Sequence, residues 1–120
     1  MGFDHSDFFP KIKPGDIFSP KYFQSIGAYS EPRPSETFPS FAEYDQFITR
    51  RFTKTKAYHA GQPLFVAECR QETYYVKQWD GYNNYYPYLF AKVIDSSGES
   101  FWMQVPRLSV FPSYYNLAAG

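Results

Sequence analysis

The chain has 120 residues, twelve Lys plus Arg against twelve Asp plus Glu, a formal charge of zero and one cysteine. That length is one domain's worth of core; the neutral balance speaks against a dedicated duplex-DNA binder, and a lone Cys69 excludes an intrachain disulfide framework and a cysteine-rich zinc site. No apolar run approaches the roughly 18 residues that span a bilayer, so a soluble chain without a membrane partner is expected.

The unusual quantity is aromatic content. Thirteen Phe, twelve Tyr and two Trp make 22% of the residues, while Ile, Leu and Val together supply 14. A fully enclosed ring buries roughly 150–250 Å², so a small interior fills quickly. Some rings are therefore expected at a surface or in an interface, unless an N-terminal segment wraps the domain and covers them.

Met1–Ser6 carries neither the basic stretch nor the apolar stretch of a signal peptide, which points to a cytoplasmic protein or part of a particle assembled there. Gly2 and Ser6 match the bare myristoylation pattern, but Asp4 and Asp7 oppose an anionic membrane and one acyl chain anchors weakly. Asp4-His5-Ser6-Asp7 reads as a solvated acidic cluster rather than a metal site.

Residues 1–39 hold six of the ten prolines, at a spacing that prevents long helices and central strands. Gly15–Ser19 reads as a short edge strand opened by the Pro14-Gly15 turn, and Ser30–Glu36 as a solvated loop. A disordered tail would be poor in rings, yet this segment contains Phe3, Phe8, Phe9, Phe18, Tyr22, Phe23, Tyr29 and Phe38. The expected organisation is an extended arm over residues 1–39, packed on the domain or on a neighbouring chain, and a single small β domain over residues 40–120.

Ser40 followed by Glu43 forms a capping-box pattern. Phe41, Tyr44, Ile48 and Phe52 then fall at helical spacing with Phe47 beside them, and acidic residues precede basic ones along the dipole, which predicts a helix over 41–52. Beyond Pro63 the pattern is β: strands are predicted at Leu64–Cys69, Thr73–Trp79, Tyr86–Ile94 and Ser100–Val105, with Asp80–Asn84 as a turn-rich loop. In Asp95-Ser96-Ser97-Gly98, Asp opens a type I turn and Gly98 takes the left-handed position of a three-residue hairpin. That loop length pairs Asp95 with Glu99. It places Leu89, Ala91, Val93, Phe101, Met103 and Val105 on one apolar face, and Tyr88, Phe90, Lys92 and Trp102 on the other. Lys92 opposite Trp102 would hold the indole flat, as in a binding hot spot, provided the arm or the helix does not cover this second face.

Pro106–Ser109 reads as a single 3₁₀ turn before a short strand at Val110-Phe111 ended by Pro112. Strand, tight hairpin, strand, one-turn helix and short closing strand resembles the way small SH3-like barrels finish, and Pro14–Phe18 is similar to their opening strand. The fold class implied is mainly β: a small SH3-like antiparallel barrel or strongly bent sheet, with one short helix and an extended N-terminal arm.

No constellation for catalysis survives inspection. Cys69 sits in a strand pattern as a small hydrophobe, only His5 and His59 are available as partners, the acids are scattered, and the seven glycines are isolated from one another. No enzyme, metal or cofactor is expected. The composition instead favours a protein-binding or assembly module, such as a structural or host-interaction protein of a virus or phage, with another protein or copies of itself as partner. Its candidate contact residues are Tyr88, Phe90, Lys92, Trp102, Tyr74, Tyr75, Tyr85 and Tyr86. The alternative is a small barrel binding single-stranded nucleic acid, with Arg50, Arg51, Lys54 and Lys56 as the basic cluster and Tyr74, Tyr75, Tyr82, Tyr85, Tyr86 and Tyr88 as stacking platforms. Glycan binding and a small-barrel ribonuclease are the remaining readings.

Overall fold

The computed structural model describes residues 6–49 and 54–118. The architecture is mainly β. The strands are β1 (Ile17–Pro20), β2 (Gln24–Ala28), β3 (Glu36–Phe38), β4 (Lys54–Tyr58), β5 (Leu64–Lys77), β6 (Asn83–Asp95), β7 (Ser100–Val105) and β8 (Tyr115–Leu117). Helix α1 (Phe41–Thr49) lies between β3 and β4, and the single turn α2 (Phe111–Tyr114) precedes β8. The main sheet runs β7-β6-β5-β1-β8 with antiparallel neighbours, β3 adds to β5 in parallel, and β2 and β4 form a separate antiparallel pair.

Among the described residues the sheet is not closed into a barrel. Its β7 edge meets the β2 side at one bridge, where Tyr29 and Trp102 exchange backbone hydrogen bonds of 2.8 and 3.3 Å. β1 is an interior strand, paired to β5 on one side and β8 on the other, and not the expected edge.

The Asp95–Glu99 hairpin forms in the register that its loop dictates. The Asp95 N–H donates to the Glu99 carbonyl at 2.9 Å, the Gly98 N–H donates to the Asp95 carbonyl at 3.0 Å, and Gly98 sits at φ +87°. Leu89–Val105, Ala91–Met103 and Val93–Phe101 are direct partners on one face, Phe90–Gln104 and Lys92–Trp102 on the other.

The two strands expected at Leu64–Cys69 and Thr73–Trp79 are one continuous strand, β5. The polar interval Arg70-Gln71-Glu72 remains in the sheet because its charges find partners: the Arg70 guanidinium donates to Glu72 at 2.5 Å, and Glu72 accepts from the Ser35 N–H and hydroxyl at 2.8 and 2.7 Å. A bulge between Val66 and Glu68 inserts one extra residue opposite β6 and exchanges the faces of the strand. Leu64 and Val66 point to one side before it; Tyr74 and Val76 point to the other side after it.

Two cores result. Phe18, Leu64, Val66, Ala91, Val93, Met103 and Val105 form the centre of the first, closed by Ile26, Ala28 and Tyr58 of the β2–β4 pair and by Phe9, Ile12, Phe111 and Tyr115. Tyr29, Phe38, Tyr44, Tyr74, Val76, Phe90 and Trp102 form the second. Residues 6–39 thus supply three strands and rings to both cores.

Helix α1 starts where the cap predicts, with the Glu43 N–H donating to the Ser40 hydroxyl at 3.3 Å. Its inward face is Tyr44, Phe47 and Ile48, while Phe41 stays exposed on the first turn, short of the sheet. The predicted end of the helix, including Arg50, Arg51 and Phe52, lies outside the described residues. Val110-Phe111 is not a strand: Pro112 occupies the first turn of α2, where its missing N–H costs nothing, and the closing strand follows at Tyr115.

Candidate interaction surface

The aromatic face expected beside the Asp95–Glu99 hairpin is covered. Tyr74, Phe90 and Trp102 are only 1%, 2% and 7% exposed. The Tyr29 bridge closes over Trp102 from the arm, the Tyr29 ring meets Phe90 edge-on at 5.4 Å, and Phe47 of α1 lies 4.9 Å from Tyr74. Tyr86 and Tyr88 are half-buried under the same helix: the Tyr44 ring stacks on Tyr86 at 4.6 Å, and its hydroxyl shares a 2.5 Å hydrogen bond with that of Tyr88. Burial pushes the Tyr74 phenol well above its ordinary value, and its hydroxyl donates to the Arg33 carbonyl at 2.8 Å. Lys92 is half-buried directly across from Trp102 and Glu68. This face is a second core layer, because the arm returns across it.

Of the basic cluster, Arg50 and Arg51 lie outside the described residues. Lys54 is exposed on β4. Lys56 is committed to Glu99 and, at 4.0 Å, to Asp95, with its ammonium 5.5 Å from the Phe101 ring. Asp95 also accepts from the Tyr58 hydroxyl at 2.8 Å, so these groups tie β4 to the hairpin loop. Burial pushes the Cys69 thiol up, where it donates to the Ile12 carbonyl at 3.5 Å, and His59 stands against the Phe23 ring. Among the described residues no three His, Cys, Asp or Glu gather to hold a metal ion.

The two most exposed rings among the described residues, Trp79 and Tyr82, lie at the turn between β5 and β6. The Gln78 N–H donates to the Tyr82 carbonyl at 2.8 Å, the Gly81 N–H donates to the Gln78 carbonyl at 3.1 Å, and Gly81 sits at φ +88°, the same turn geometry as at Asp95–Glu99. The loop is therefore Trp79-Asp80-Gly81, and Asn83 and Asn84 belong to β6 rather than to the predicted loop. A strand the length of β5 spans about 45 Å, close to the 47 Å long dimension of the molecule, so this turn lies at one end of it.

Trp79 is 97% exposed, Tyr82 75% and Tyr85 45%. Tyr75, half-buried, is the direct cross-strand partner of Tyr85, and exposed Lys77 pairs with exposed Asn83. Two residues proposed from sequence as partner contacts, Tyr75 and Tyr85, thus join Tyr82, expected only as a stacking platform for bases, and Trp79, expected only as the end of a strand. The signal was present: Asp80-Gly81 has the spacing of Ser97-Gly98, and reading both as three-residue loops puts Trp79 on the tip.

Compared with protein-family models, with curated proteins and with solved structures, the chain matches none.

Proposed function

We propose that the protein is a non-catalytic protein-binding or assembly module whose contact surface is centred on Trp79 and Tyr82 and continues through Tyr85 and Tyr75. The observation that carries this reading is the exposure of Trp79. An indole left in water loses the burial of its large apolar surface, and exposed Trp and Tyr grouped on a rigid support are the residues that dominate binding energy in interfaces. The support is firm because β5 and β6 pair along their whole length and the turn is closed by backbone hydrogen bonds. The charges beside the patch, Lys77 and Asp80, cancel, which suits a protein partner better than a phosphate backbone.

The small-barrel reading of the architecture belongs to the same proposal. The closing strand β8 returns beside the first strand β1 after one turn of helix, and the β5-β6-β7 meander occupies the other side of β1. A partly open barrel of this kind presents loops and hairpins from a rigid frame.

The test is photo-crosslinking from a benzophenone residue placed at position 82, followed by capture with wild-type protein and with Trp79→Ala. The proposal expects one dominant crosslinked protein, or a crosslinked homodimer, and loss of that species in Trp79→Ala at unchanged circular dichroism. Equal crosslinking in both proteins would overturn it, as would a retarded oligothymidylate band that Trp79→Ala abolishes.

A further inference from the structure

A groove of about 810 Å³ lies between the loop carrying Glu31 and Arg33, strand β3 and helix α1. Phe38, Phe47 and Tyr74 stand in its wall, and among the described residues its lining bears three carboxylates, Glu31, Glu36 and Glu43, and the guanidinium of Arg33. The Arg33 guanidinium lies 5.0 Å from the Phe47 ring centre and 5.7 Å from that of Phe38, and it donates to Glu36 at 2.5 Å. The chain therefore lays one of its own arginines on two ring faces beside a carboxylate. That arginine is half exposed at 53%, so water surrounds much of it and the arrangement is open to exchange.

Planar guanidinium stacks on aromatic faces and forks to carboxylates, which an ammonium does less well. With Arg33 taken by Glu36 and Glu31 in an ion pair with Arg70 at 3.4 Å, the carboxylate of Glu43 leaves the rim net negative among the described residues. We propose that this groove is a docking site for an arginine-bearing extended segment of a partner protein, and that Arg33 is a built-in occupant which the incoming guanidinium displaces. A second copy of the aromatic tip is not the occupant, because residues 77–83 contain no arginine. The proposal stands apart from the Trp79 surface and does not depend on it.

The experiment is fluorescence anisotropy of a labelled peptide of alternating glycine and arginine, titrated with the full chain and its variants. Saturable binding that weakens with added salt is expected. Arg33→Gln removes the internal competitor and one positive charge, so it tightens binding about two- to fivefold; Glu43→Gln weakens it about two- to fivefold. Trp79→Ala leaves it unchanged. Both groove substitutions are at exposed positions, and circular dichroism of each variant checks the fold. Absence of saturable binding would overturn the proposal. So would weaker or unchanged binding to Arg33→Gln, or equal affinity for the same peptide with lysine in place of arginine.

Discussion

The chain has two tryptophans, and they stand at opposite extremes: Trp102 is 7% exposed and Trp79 is 97% exposed. Truncating each to alanine separates a packing role from a surface role within one molecule. Burying an indole removes about 150–250 Å² from water, worth about 4–6 kcal/mol at about 25 cal/mol per Å², of which the alanine methyl retains about 1. Trp102→Ala is therefore expected to cost about 3–5 kcal/mol, in the range measured for large-to-small core changes. A chain of this length is worth about 6–18 kcal/mol in total, so the variant loses a large fraction of its stability. Urea unfolding followed by far-ultraviolet circular dichroism should show the midpoint falling by about 2 M. Trp79→Ala should stay within about 0.5 kcal/mol of wild type. Fluorescence supplies an internal check: the protein keeping only Trp102 should emit at shorter wavelength and shift red on unfolding, while the one keeping only Trp79 should emit near the solvent limit throughout. A Trp102→Ala midpoint within a few tenths molar of wild type would refute the second core, and with it the covering role of Tyr29 and α1.

Gly98→Ala should cost about 1–2 kcal/mol by urea titration, because a Cβ there meets nothing within 4 Å and the penalty is the positive φ alone; Gly81→Ala should match it, and no loss at either site would contradict the turn assignment. Ser40→Ala removes the hydroxyl that receives the Glu43 N–H and should cost about 0.5–2 kcal/mol, while Ser40→Asp should be nearly neutral. Burial pushes the Asp95 and Glu72 carboxyls up, but hydrogen bonds from Ser97 and Tyr58 to the first, and from Ser35 and Arg70 to the second, bring both below their ordinary values. Stability carried by a lowered carboxyl is present above its unfolded value and lost as pH falls through the folded one, so Tm should drop from about pH 5 downward. Asp95→Asn combined with Glu72→Gln should flatten that dependence, and a Tm that rises on acidification would reverse the sign of the argument.

What was legible in the sequence is local. Ser40 and Glu43 announce the start of α1 because a cap is decided by neighbours three residues apart. Ser96-Ser97-Gly98 dictates its register because a three-residue loop closes in one way, and the alternation of Leu89, Ala91 and Val93 then assigns one core face without further information. The same rule applied to Trp79-Asp80-Gly81 would have placed the exposed tip.

The remaining features depend on partners distant in the chain. Nothing within Arg70-Gln71-Glu72 says that β5 continues, since the pair that Arg70 and Glu72 make with each other is anchored by Glu31 and Ser35, more than thirty residues away. The bulge at residue 67 moves Tyr74 and Val76 to the opposite face, and one unpaired residue leaves no mark on an alternating pattern. Alternation identifies a second face carrying Phe90 and Trp102, but a ring-rich face has the same sequence whether it meets water, a partner or its own arm. Tertiary structure decided between these by bringing Tyr29 back across β7 and seating α1 on Tyr86 and Tyr88. The physical reason is that burial is a property of what arrives from elsewhere in the chain, whereas caps, turns and register belong to the residues that form them.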